Sequence, residues 1–343
     1  MKNIAERLAN AHDVSVFVPN PVRDLPSEEE INNVKIKRFR CLAPNDSYYL
    51  SLSLSLAARQ YNADILHIHG YYDLTPPLTI LLKNRHPRCL FTLHSSGSSS
   101  SMRTALHLPY NLIMGNIMRR VDRVICVSRF ELEYFRNILR LPKGKMELIP
   151  NGVNLIGPEK KSCKKTLPAT ILSAGRLEKY KGHHRVIRAF GVFKRLFPEI
   201  EARLCILGTG PYKRKLESEV KKLQLNDSVQ FLDWLSRSQY AALLEQSSML
   251  VLLSDYESQS IVVSEALSAC TPVIVANNSA LAEYVNDDSA IGVQDPDDPY
   301  EVAGKMKTAF SDPQCCRFSA KKIVTWNEVA KRVSALYYEL LRR

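Results

Sequence analysis

Residues 255–267 read Asp255-Tyr256-Glu257-Ser258-Gln259-Ser260-Ile261-Val262-Val263-Ser264-Glu265-Ala266-Leu267. Glu257 follows an apolar run at residues 249–253, and Glu265 lies in the helical pattern that comes next. The pattern predicts a strand, a loop and a helix, with Glu265 about two turns into the helix and both carboxylates at one strand end. The first amides of such a helix attract an anion such as a diphosphate. A carboxylate accepts two hydrogen bonds side by side, which suits a ribose diol or a sugar hydroxyl. Two solvated glutamates beside an ordinary helix start are the alternative to a ligand site. The rest of the chain is needed to choose between these two interpretations.

Length and composition indicate a globular protein of two domains. The chain has 343 residues, of which 45% are hydrophobic, and this is ample for two cores. Its apolar runs are shorter than a membrane span, and it opens with a charged helical pattern rather than a signal peptide. The eight cysteines are scattered without a CxxC pair, which predicts buried thiols in a reducing cytoplasm.

The formal charge of +12 favours an anionic partner. Nucleic acid, an anionic membrane surface and a phosphorylated substrate all fit a basic protein. The sequence has no RNA-binding aromatic motif, zinc finger or basic zipper, so nucleic acid is the weakest of the three.

Short apolar runs alternate with amphipathic segments along the whole chain. This alternation predicts parallel sheets with helices on both faces, in which ligands bind beyond the carboxyl ends of the strands. Predicted strands of the first half are residues 14–18, 34–39, 65–68, 90–93, 123–127 and 146–149. Those of the second half are residues 169–174, 204–207, 229–232, 249–253 and 272–275. The polar stretch at residues 157–166 contains four lysines and predicts an exposed linker between two doubly wound α/β domains.

A basic loop follows the first predicted strand of the second half. It reads Gly175-Arg176-Leu177-Glu178-Lys179-Tyr180-Lys181-Gly182. Arg176 offers a planar fork of donors and Lys181 a compact charge, a combination suited to a diphosphate leaving group. A solvated basic loop is the alternative. The turn Gly208-Thr209-Gly210-Pro211 follows the next strand and is a weak signal alone, since glycines are common at such turns.

The joint order of these motifs resembles the retaining glycosyltransferases of family 4, which have the GT-B fold. The similarity runs from about residue 4 to residue 341. It rests on Ser173-Ala174-Gly175-Arg176-Leu177 with Lys181-Gly182, then Leu207-Gly208-Thr209-Gly210-Pro211, Glu257 with Glu265, and Pro272-Val273-Ile274. Supporting matches are Asp64-Ile65-Leu66-His67-Ile68-His69-Gly70, Phe91-Thr92-Leu93-His94, Asp122-Arg123-Val124-Ile125-Cys126-Val127-Ser128 and Ile149-Pro150-Asn151-Gly152-Val153.

The resemblance implies two facing Rossmann-like domains with a cleft between them. We expect an acceptor-side domain at residues 1–152, a nucleotide-sugar-binding domain at 153–320, and a last helix within 321–343 that crosses back to the first domain. A simple terminal helix on its own domain is the alternative for that last segment.

The resemblance also assigns roles to single residues. Arg176 and Lys181 match the basic pair that binds the donor diphosphate and stabilises it as it leaves. Glu257 matches the carboxylate placed against the transferred sugar, and Glu265 the one that holds the ribose. His94 matches a catalytic histidine close to the reacting sugar and acceptor. The donor-binding set also includes Gly175, Gly208, Gly210, Ser260 and Ile261.

The reaction implied is transfer of a sugar from a nucleotide-diphosphate-sugar to a glycan, lipid-linked or polysaccharide acceptor, with retention of configuration. Because the main barrier is separation of a diphosphate from a developing oxocarbenium ion, the protein has to supply preorganised positive charge rather than a nucleophile. We expect a hexosyltransferase without metal or cofactor. Asp295-Pro296-Asp297 has the look of a metal-binding DxD motif, but it precedes a predicted helix, where acidic residues cap amides.

Two histidines of the first half allow two interpretations. His67 and His69 point to the same face of a predicted strand and so suggest a metal pair. No third ligand is evident nearby, so a packed or cleft-lining pair is the preferred interpretation. His94 ends an apolar strand, where a structural histidine is an alternative to the catalytic role.

The chain departs from the family pattern in several places. Gln259-Ser260 replaces a usual Phe-Gly, Cys270 a frequent glycine, and Ser279-Ala280 a glycine pair. Side chains at these positions can narrow the pocket, so the resemblance does not identify the donor sugar. The first strand and glycine-rich loop of the family are also missing before the helix at residues 4–9. We therefore expect two unpaired strand edges, at residues 14–18 and 65–68. Either the working protein is longer or this form is impaired, and we favour the first.

Other functions remain to be weighed. A non-catalytic nucleotide-sugar-binding or scaffold protein of the same fold would still use Glu265 and Arg176. A nicotinamide-dependent oxidoreductase is disfavoured because the GxGxxG pattern is incomplete, and a triphosphatase because no P-loop is present. Residues 106–118 are rich in apolar residues and precede Arg119-Arg120, which suits either a core helix or peripheral contact with an anionic membrane.

Overall fold

The computed structural model describes residues 1–21, 25–45, 48–95, 101–142, 144–156, 168–312 and 323–342. It divides into two compact units, each treated by itself below: unit 1 is Met1–Gly152 with Val324–Arg343, and unit 2 is Val153–Ile323. The predicted linker at residues 157–166 lies outside the described residues.

The strands and helices are numbered along the chain. The strands are β1 (Val14–Pro19), β2 (Glu28–Ile31), β3 (Val34–Phe39), β4 (Leu42–Asn45), β5 (Tyr48–Leu50), β6 (Ile65–His69), β7 (Arg88–Thr92), β8 (Arg123–Cys126), β9 (Met146–Leu148), β10 (Ala169–Ala174), β11 (Ala202–Leu207), β12 (Val229–Leu232), β13 (Met249–Leu252), β14 (Val273–Ala276) and β15 (Ile291–Val293). The helices are α1 (Lys2–Leu8), α2 (Leu52–Gln60), α3 (Thr75–Leu82), α4 (Ser101–Ile117), α5 (Arg129–Leu139), α6 (His183–Leu196), α7 (Lys213–Lys222), α8 (Arg237–Gln246), α9 (Ile261–Ser268), α10 (Leu281–Asn286), α11 (Pro299–Ser311) and α12 (Trp326–Leu341).

Unit 2 contains one parallel sheet in the order β12-β11-β10-β13-β14-β15. Every residue of β10, β13 and β14 is buried, which is why these strands read as continuous apolar runs. Ile171 packs with α6 and α11 on one face, whereas its neighbour Leu172 packs with α8 and α9 on the other. The predicted doubly wound domain is therefore confirmed, and β15 is a sixth strand that the sequence analysis missed.

The strand order reverses beside β10. From β10 the chain moves outward through β11 and β12, and then returns to place β13 on the opposite side of β10. Ligands of such sheets bind outside the carboxyl ends of the strands at this reversal. The basic loop after β10 and the Glu257 loop after β13 both lie at that point.

The described residues of unit 1 form two larger sheets and one two-stranded sheet, where a doubly wound domain would have a single sheet. Strands β1-β3-β2 form the first and β6-β7-β8-β9 the second, while β4 pairs with β5. Among the described residues β1 pairs only with β3 and β6 only with β7, so the expected unpaired edges are present. The sequence analysis missed β2, which pairs antiparallel with β3, because Glu28-Glu29-Glu30 is a poor strand former.

Helix α12 packs within unit 1. Trp326, Val333 and Leu336 share a buried cluster with Leu8 of α1 and Leu90 of β7. The helix begins with a capping box in which Thr325 and Glu328 satisfy each other's backbone amides. No helix in the described part of the chain is long and apolar enough to span a membrane.

The cysteines agree only in part with the expected buried thiols. Cys89, Cys126 and Cys205 are buried, and this burial raises the pKa of the Cys205 thiol to about 11. Cys270 is exposed, so the prediction of burial is wrong there. Cys163, Cys315 and Cys316 lie outside the described residues.

Leu336→Ala tests how strongly α12 stabilises unit 1. Leu336 is 3% exposed, and loss of a buried leucine side chain costs about 2–5 kcal/mol. We expect the urea midpoint of unit 1 to fall accordingly. Leu341→Ala on the same helix is the matched control, since Leu341 is 49% exposed and should change the free energy of unfolding by less than about 0.5 kcal/mol. Equal effects of the two changes would contradict the packing described here.

Candidate functional site

Three loops of unit 2 meet backbone to backbone at the carboxyl edge of its sheet. A Cβ on Gly208 would lie 1.9 Å from the carbonyl oxygen of Gly175, and one on Gly210 would lie 2.4 Å from that of Leu177. Leu177 N also donates to Thr209 O at 2.8 Å. The glycines of the weak Gly-Thr-Gly motif are therefore required for loop packing, and their predicted contact with a donor stays a prediction.

Gly182 brings the basic loop against the strand β13. Its φ is +73°, and a Cβ there would lie 2.0 Å from the carbonyl oxygen of Leu253. Asp255 N donates to Tyr180 O at 2.7 Å, which ties the two loops together again. Because both contacts are made by backbone, the position of Lys181 relative to the loop after β13 is closely defined.

Lys181 and Glu257 form an ion pair across these loops. Lys181 Nζ lies 2.6 Å from Glu257 Oε1, and their side chains are 15% and 10% exposed. Ser254 Oγ donates to the same carboxylate oxygen at 2.9 Å. Among the described residues Glu257 Oε2 makes no hydrogen bond, so one oxygen of the carboxylate is held and the other is available to a ligand.

The Glu257 loop is supported by Ser279, which the sequence analysis did not include in the site. Glu257 N donates to Ser279 Oγ at 3.0 Å, and Ala280 N donates to Glu257 O at 3.2 Å. Ser279 has a φ of +47° and Cys270 one of +57°, the left-handed region that favours glycine. Cys270 and Ser279, two of the positions where the sequence departs from a family glycine, thus keep a glycine-like backbone, and at Ser279 the added hydroxyl binds the loop.

Arg185 of α6 holds the base of the same loop. Its guanidinium donates to Leu253 O at 3.1 Å and pairs with Asp255. It also binds Asp297 through two bonds of 2.8 and 3.0 Å, which lower the pKa of Asp297. Within the Asp295-Pro296-Asp297 sequence, one carboxylate therefore pairs with arginine, while Asp298 caps α11 as expected of an acidic residue before a helix.

Arg176 lies on the exposed side of the basic loop. Its guanidinium pairs with Glu178 at 2.9 Å and donates to Tyr180 OH at 2.5 Å, and its side chain is 69% exposed. Tyr180 stacks on Tyr256 with ring centroids 4.8 Å apart, so the two loops also share an aromatic contact. Burial raises the pKa of Tyr180, which keeps its hydroxyl protonated beside the arginine.

Glu265 lies in α9 with one oxygen bound. Tyr240 OH donates to Glu265 Oε2 at 3.0 Å, and the described residues leave Oε1 without a hydrogen bond. Burial raises the pKa of Glu265, while the bond from Tyr240 opposes that rise. The helix begins at Ile261, so Glu265 is its fifth residue, little more than one turn in. The expectation of two turns was wrong because Asp255 to Gln259 form a loop.

The start of α9 is capped from within. Ser260 Oγ accepts a hydrogen bond from Val263 N at 3.3 Å, and Ser260 O accepts one from Tyr284 OH at 3.1 Å. Ile261 is 38% exposed at the first helical position. Ser260 and Ile261, both predicted to bind the donor, thus lie at the helix start between the two glutamates.

His94 belongs to unit 1, whereas the other catalytic candidates lie in unit 2. It follows β7 with a φ of +53°, and its Nε2 lies 3.0 Å from Nδ1 of His69. His67 stacks on His69 at 4.2 Å and bonds Tyr337 and Thr92, both at 2.8 Å. Burial lowers the pKa of His67 to about 3, so its imidazole is neutral at pH 7. His94 is exposed. His67 and His69 do share a face, and their described partners are protein side chains. Across the described ranges no three His, Cys, Asp or Glu side chains are grouped to hold a metal ion.

Gly208→Ala tests the backbone contact between the loops. We expect it to destabilise unit 2 by more than about 1 kcal/mol, since an L residue is strained at a φ of +144° and its Cβ overlaps Gly175 O. Gly304→Ala is the matched control, because Gly304 lies inside α11 with no atom within 4 Å of an added Cβ. It should stabilise the helix by roughly 0.5–1 kcal/mol. A Gly208→Ala protein as stable as the parent would show that the loops do not meet as described.

Two family models match the chain, one over its amino-terminal part and the other over its carboxyl-terminal part. Residues 1–156 match the model described as Glycosyltransferase Family 4, and residues 159–325 match Glycosyl transferases group 1. An uncharacterized glycosyltransferase of Methanocaldococcus jannaschii is 27% identical, over 98% of this chain and 92% of its own length.

Solved structures agree with this assignment at the level of the fold. A sucrose-phosphate synthase from Thermosynechococcus elongatus has a TM-score of 0.79 and 20% identity, covering 99% of this chain and 92% of its own. The Anabaena protein Alr3699/HepE, solved in complex with UDP and glucose, has a TM-score of 0.67 and 16% identity, with coverages of 99% and 92%. The chain therefore belongs to the glycosyltransferases of the GT-B fold, with an amino-terminal part of the family 4 type and a carboxyl-terminal part of the group 1 type.

Proposed function

We propose that the chain transfers a sugar from a nucleotide-diphosphate-sugar to a glycan, lipid-linked or polysaccharide acceptor, with retention of anomeric configuration. The observation that carries this proposal is the pair of carboxylates at the sheet edge of unit 2. Glu257 and Glu265 are each held through one oxygen, by Lys181 with Ser254 and by Tyr240, and each keeps a second oxygen for a hydroxyl. The second oxygen of each carboxylate can accept a hydrogen bond from a hydroxyl of a polyhydroxylated ligand.

The chemistry of each side chain in the site indicates which part of the donor it binds. Glu265 holds the ribose diol, because Tyr240 orients its carboxylate and leaves Oε1 to accept. Glu257 holds a hydroxyl of the transferred sugar. Arg176 and Lys181 bind the diphosphate through their positive charge. The glycines let the backbone approach the donor closely at Gly175, Gly208 and Gly210. The start of α9, at Ser260 and Ile261, provides backbone amides for the diphosphate. The Anabaena protein crystallised with UDP and glucose has the same fold, which supports a ligand of this class.

The reaction needs charge stabilisation more than covalent chemistry. As the bond between the sugar and the diphosphate breaks, negative charge grows on the diphosphate, and Lys181 is already oriented by its pair with Glu257. An acceptor hydroxyl then attacks from the face that the diphosphate leaves and passes its proton to the departing phosphate oxygen, which retains configuration without a protein nucleophile. His94, which belongs to unit 1, is the remaining residue to which we assign a catalytic role. No metal or cofactor is part of the proposal.

A non-catalytic nucleotide-sugar-binding protein is the second candidate. Every contact made by Glu265 and Arg176 would serve binding alone. The two candidates differ in one measurable respect, which is whether the bound donor loses its sugar to water or to an acceptor.

An exposed part of α4 favours an acceptor presented at a membrane. Met114 and Ile117 are buried on its inner side, whereas Leu112 and Ile113 are 69% and 62% exposed. The exposed residues Arg119 and Arg120 follow directly. Adjacent apolar and basic side chains suit the surface of an anionic bilayer, and the net charge of +12 adds to the attraction.

Donor binding is measured by calorimetry with UDP-, GDP- and ADP-sugars. We expect one of them to bind, and Lys181→Ala or Glu265→Ala to weaken that binding roughly 10- to 100-fold, as expected for lost charged hydrogen bonds. Lys307→Ala and Glu199→Ala are matched controls, because these residues form an exposed pair elsewhere on unit 2 and should leave affinity unchanged. Release of free sugar or product supports the transferase, whereas binding without any release supports the second candidate. If no donor binds, or if the two variants match their controls, the site assignment is wrong.

Membrane contact is measured with vesicles that contain anionic phosphatidylglycerol. We expect binding at low salt that weakens at high salt, and a loss of about 10-fold or more when Leu112 and Ile113 are both replaced by Ser, since each buried methylene contributes about 0.8 kcal/mol. Leu196→Ser is the control, because Leu196 is 47% exposed on unit 2. Absence of binding at low salt would remove the membrane from the proposal.

A further inference from the structure

A fully buried glutamate lies at the start of α5 in unit 1. Glu131 is the third residue of this helix and is 0% exposed. A carboxylate loses the hydration of its charge on burial, so it needs partners that compensate for this loss. The described partners of Glu131 are backbone amides rather than cations. The reaction proposed above does not use this residue.

The sequence around Glu131 has the pattern of a local helix cap. In the S-x-x-E pattern the serine side chain binds the glutamate amide, and the glutamate side chain binds the serine amide in return. The first bond is present, since Glu131 N donates to Ser128 Oγ at 3.0 Å. Instead of the second, Glu131 Oε2 accepts from Val127 N and Oε1 accepts from Ser95 N, both at 2.6 Å. The glutamate thus joins its own loop to the loop that follows β7.

A carboxylate is the group that matches both of these partners. Each backbone N–H needs an acceptor oxygen, and the two oxygens of Glu131 supply one each. A glutamine of the same shape has one oxygen and one NH₂ group, so one amide would face a donor. Burial raises the pKa of Glu131, whereas the two amide bonds oppose that rise because they favour the ionised form. The first turn of α5 also favours negative charge.

The bond from Ser95 fixes the loop that carries His94. On the amino side of His94, Leu93 N donates to Ile125 O at 3.1 Å. On its carboxyl side, Ser95 N is held by Glu131. His94, between these two fixed residues, has a φ of +53°. A residue other than glycine keeps such a conformation only where its surroundings hold it there.

The side chain of His94 is exposed although the backbone on both sides of it is held. Its Nε2 lies 3.0 Å from Nδ1 of His69, and the two rings stack with their centroids 5.3 Å apart. His69 thus orients the ring, whereas Glu131 orients the backbone that carries it. A reactive group works well only when it is held close to the productive geometry.

We propose that Glu131 is a positioning residue for the transfer reaction, whose carboxylate fixes the loop after β7 through the Ser95 amide and so holds His94 in its working orientation. The role of His94 rests on the proposed function, whereas the contact between Glu131 and the loop can be tested without a nucleotide-sugar. Because the donor-binding candidates belong to unit 2, we expect a change at Glu131 to lower the rate of transfer and to leave donor affinity unchanged.

The contact is tested by NMR on the full chain. In the unaltered chain, the Ser95 amide proton should resonate downfield and exchange about 10-fold or more slowly than in an unstructured chain, because it donates to a buried carboxylate. Glu131→Ala should remove both features and shift the ring signals of His94. Glu133→Ala is the matched control, since Glu133 is exposed on the same helix. If Glu131→Ala does not fold, Glu131→Gln should move the Ser95 proton upfield, because at most a neutral acceptor remains.

Kinetics test whether the contact acts on the reaction. We expect Glu131→Ala to lower kcat about 10-fold or more, with a change of less than about 2-fold in the KM of the donor. In a His94→Ala background the same change should cause no further loss, because both substitutions remove one function. Ser128→Ala is the control for stability, since it removes the bond that caps α5. It should lower the thermal midpoint and leave kcat unchanged at temperatures where the chain is folded.

Three results would overturn the proposal. One is a Ser95 amide that exchanges in the unaltered chain at the rate of an unstructured chain. Another is that the ring signals of His94 stay unchanged in the Glu131 variants. The third is that the losses of kcat multiply in the double variant, since Glu131 would then act by a route other than His94. A lack of turnover by the unaltered chain would overturn the proposed function and this role together, whereas any of the three results with normal turnover overturns this role alone.

Discussion

The close approach of backbone at the carboxyl edge of the unit 2 sheet is the constraint on which the site depends. Gly208 lies against Gly175 O, and Gly182 lies against Leu253 O, at distances that admit no Cβ. Loops that pack in this way cannot shift separately, and Lys181 lies 2.6 Å from Glu257 across them. Preorganised charge of this kind is what a reaction with a diphosphate leaving group requires. The glycines carry no functional group, but they contribute to the reaction by fixing the loops that carry Lys181 and Glu257.

Much of this architecture could be predicted from the sequence. The strands of unit 2 are buried on both faces, so they read as apolar runs, and the reversal of strand order brings the loops after β10 and β13 together. Glu257 and Glu265 could be singled out because both follow one such strand. By contrast β2 was missed because three glutamates have low strand propensity, and β15 because three residues carry little periodicity.

The supporting residues of the site were harder to find from sequence. Ser279 binds the Glu257 amide from 22 positions away, and Tyr240 orients Glu265 from the preceding helix. Neither has a local signal, since a serine after a strand and a tyrosine in a helix are common. A partial signal did exist at Ser279, where a non-glycine residue occupies a family glycine position and adopts a φ of +47°. The departure from the family motif at Ser279 thus indicated a residue that supports the site.

The sheets of the two units differ in continuity. Unit 2 has one continuous sheet, and its carboxyl edge carries Glu257 and Glu265. Unit 1 has a sheet divided at β1 and β6, and its histidines lie at one end of that division. The central claim concerns unit 2, and crystals of the chain soaked with the nucleoside diphosphate of the preferred donor test it most directly. The account predicts phosphate oxygens within hydrogen-bond distance of Lys181 and Arg176, and the ribose diol on Glu265. A nucleotide bound elsewhere, or one whose ribose does not reach Glu265, would contradict it.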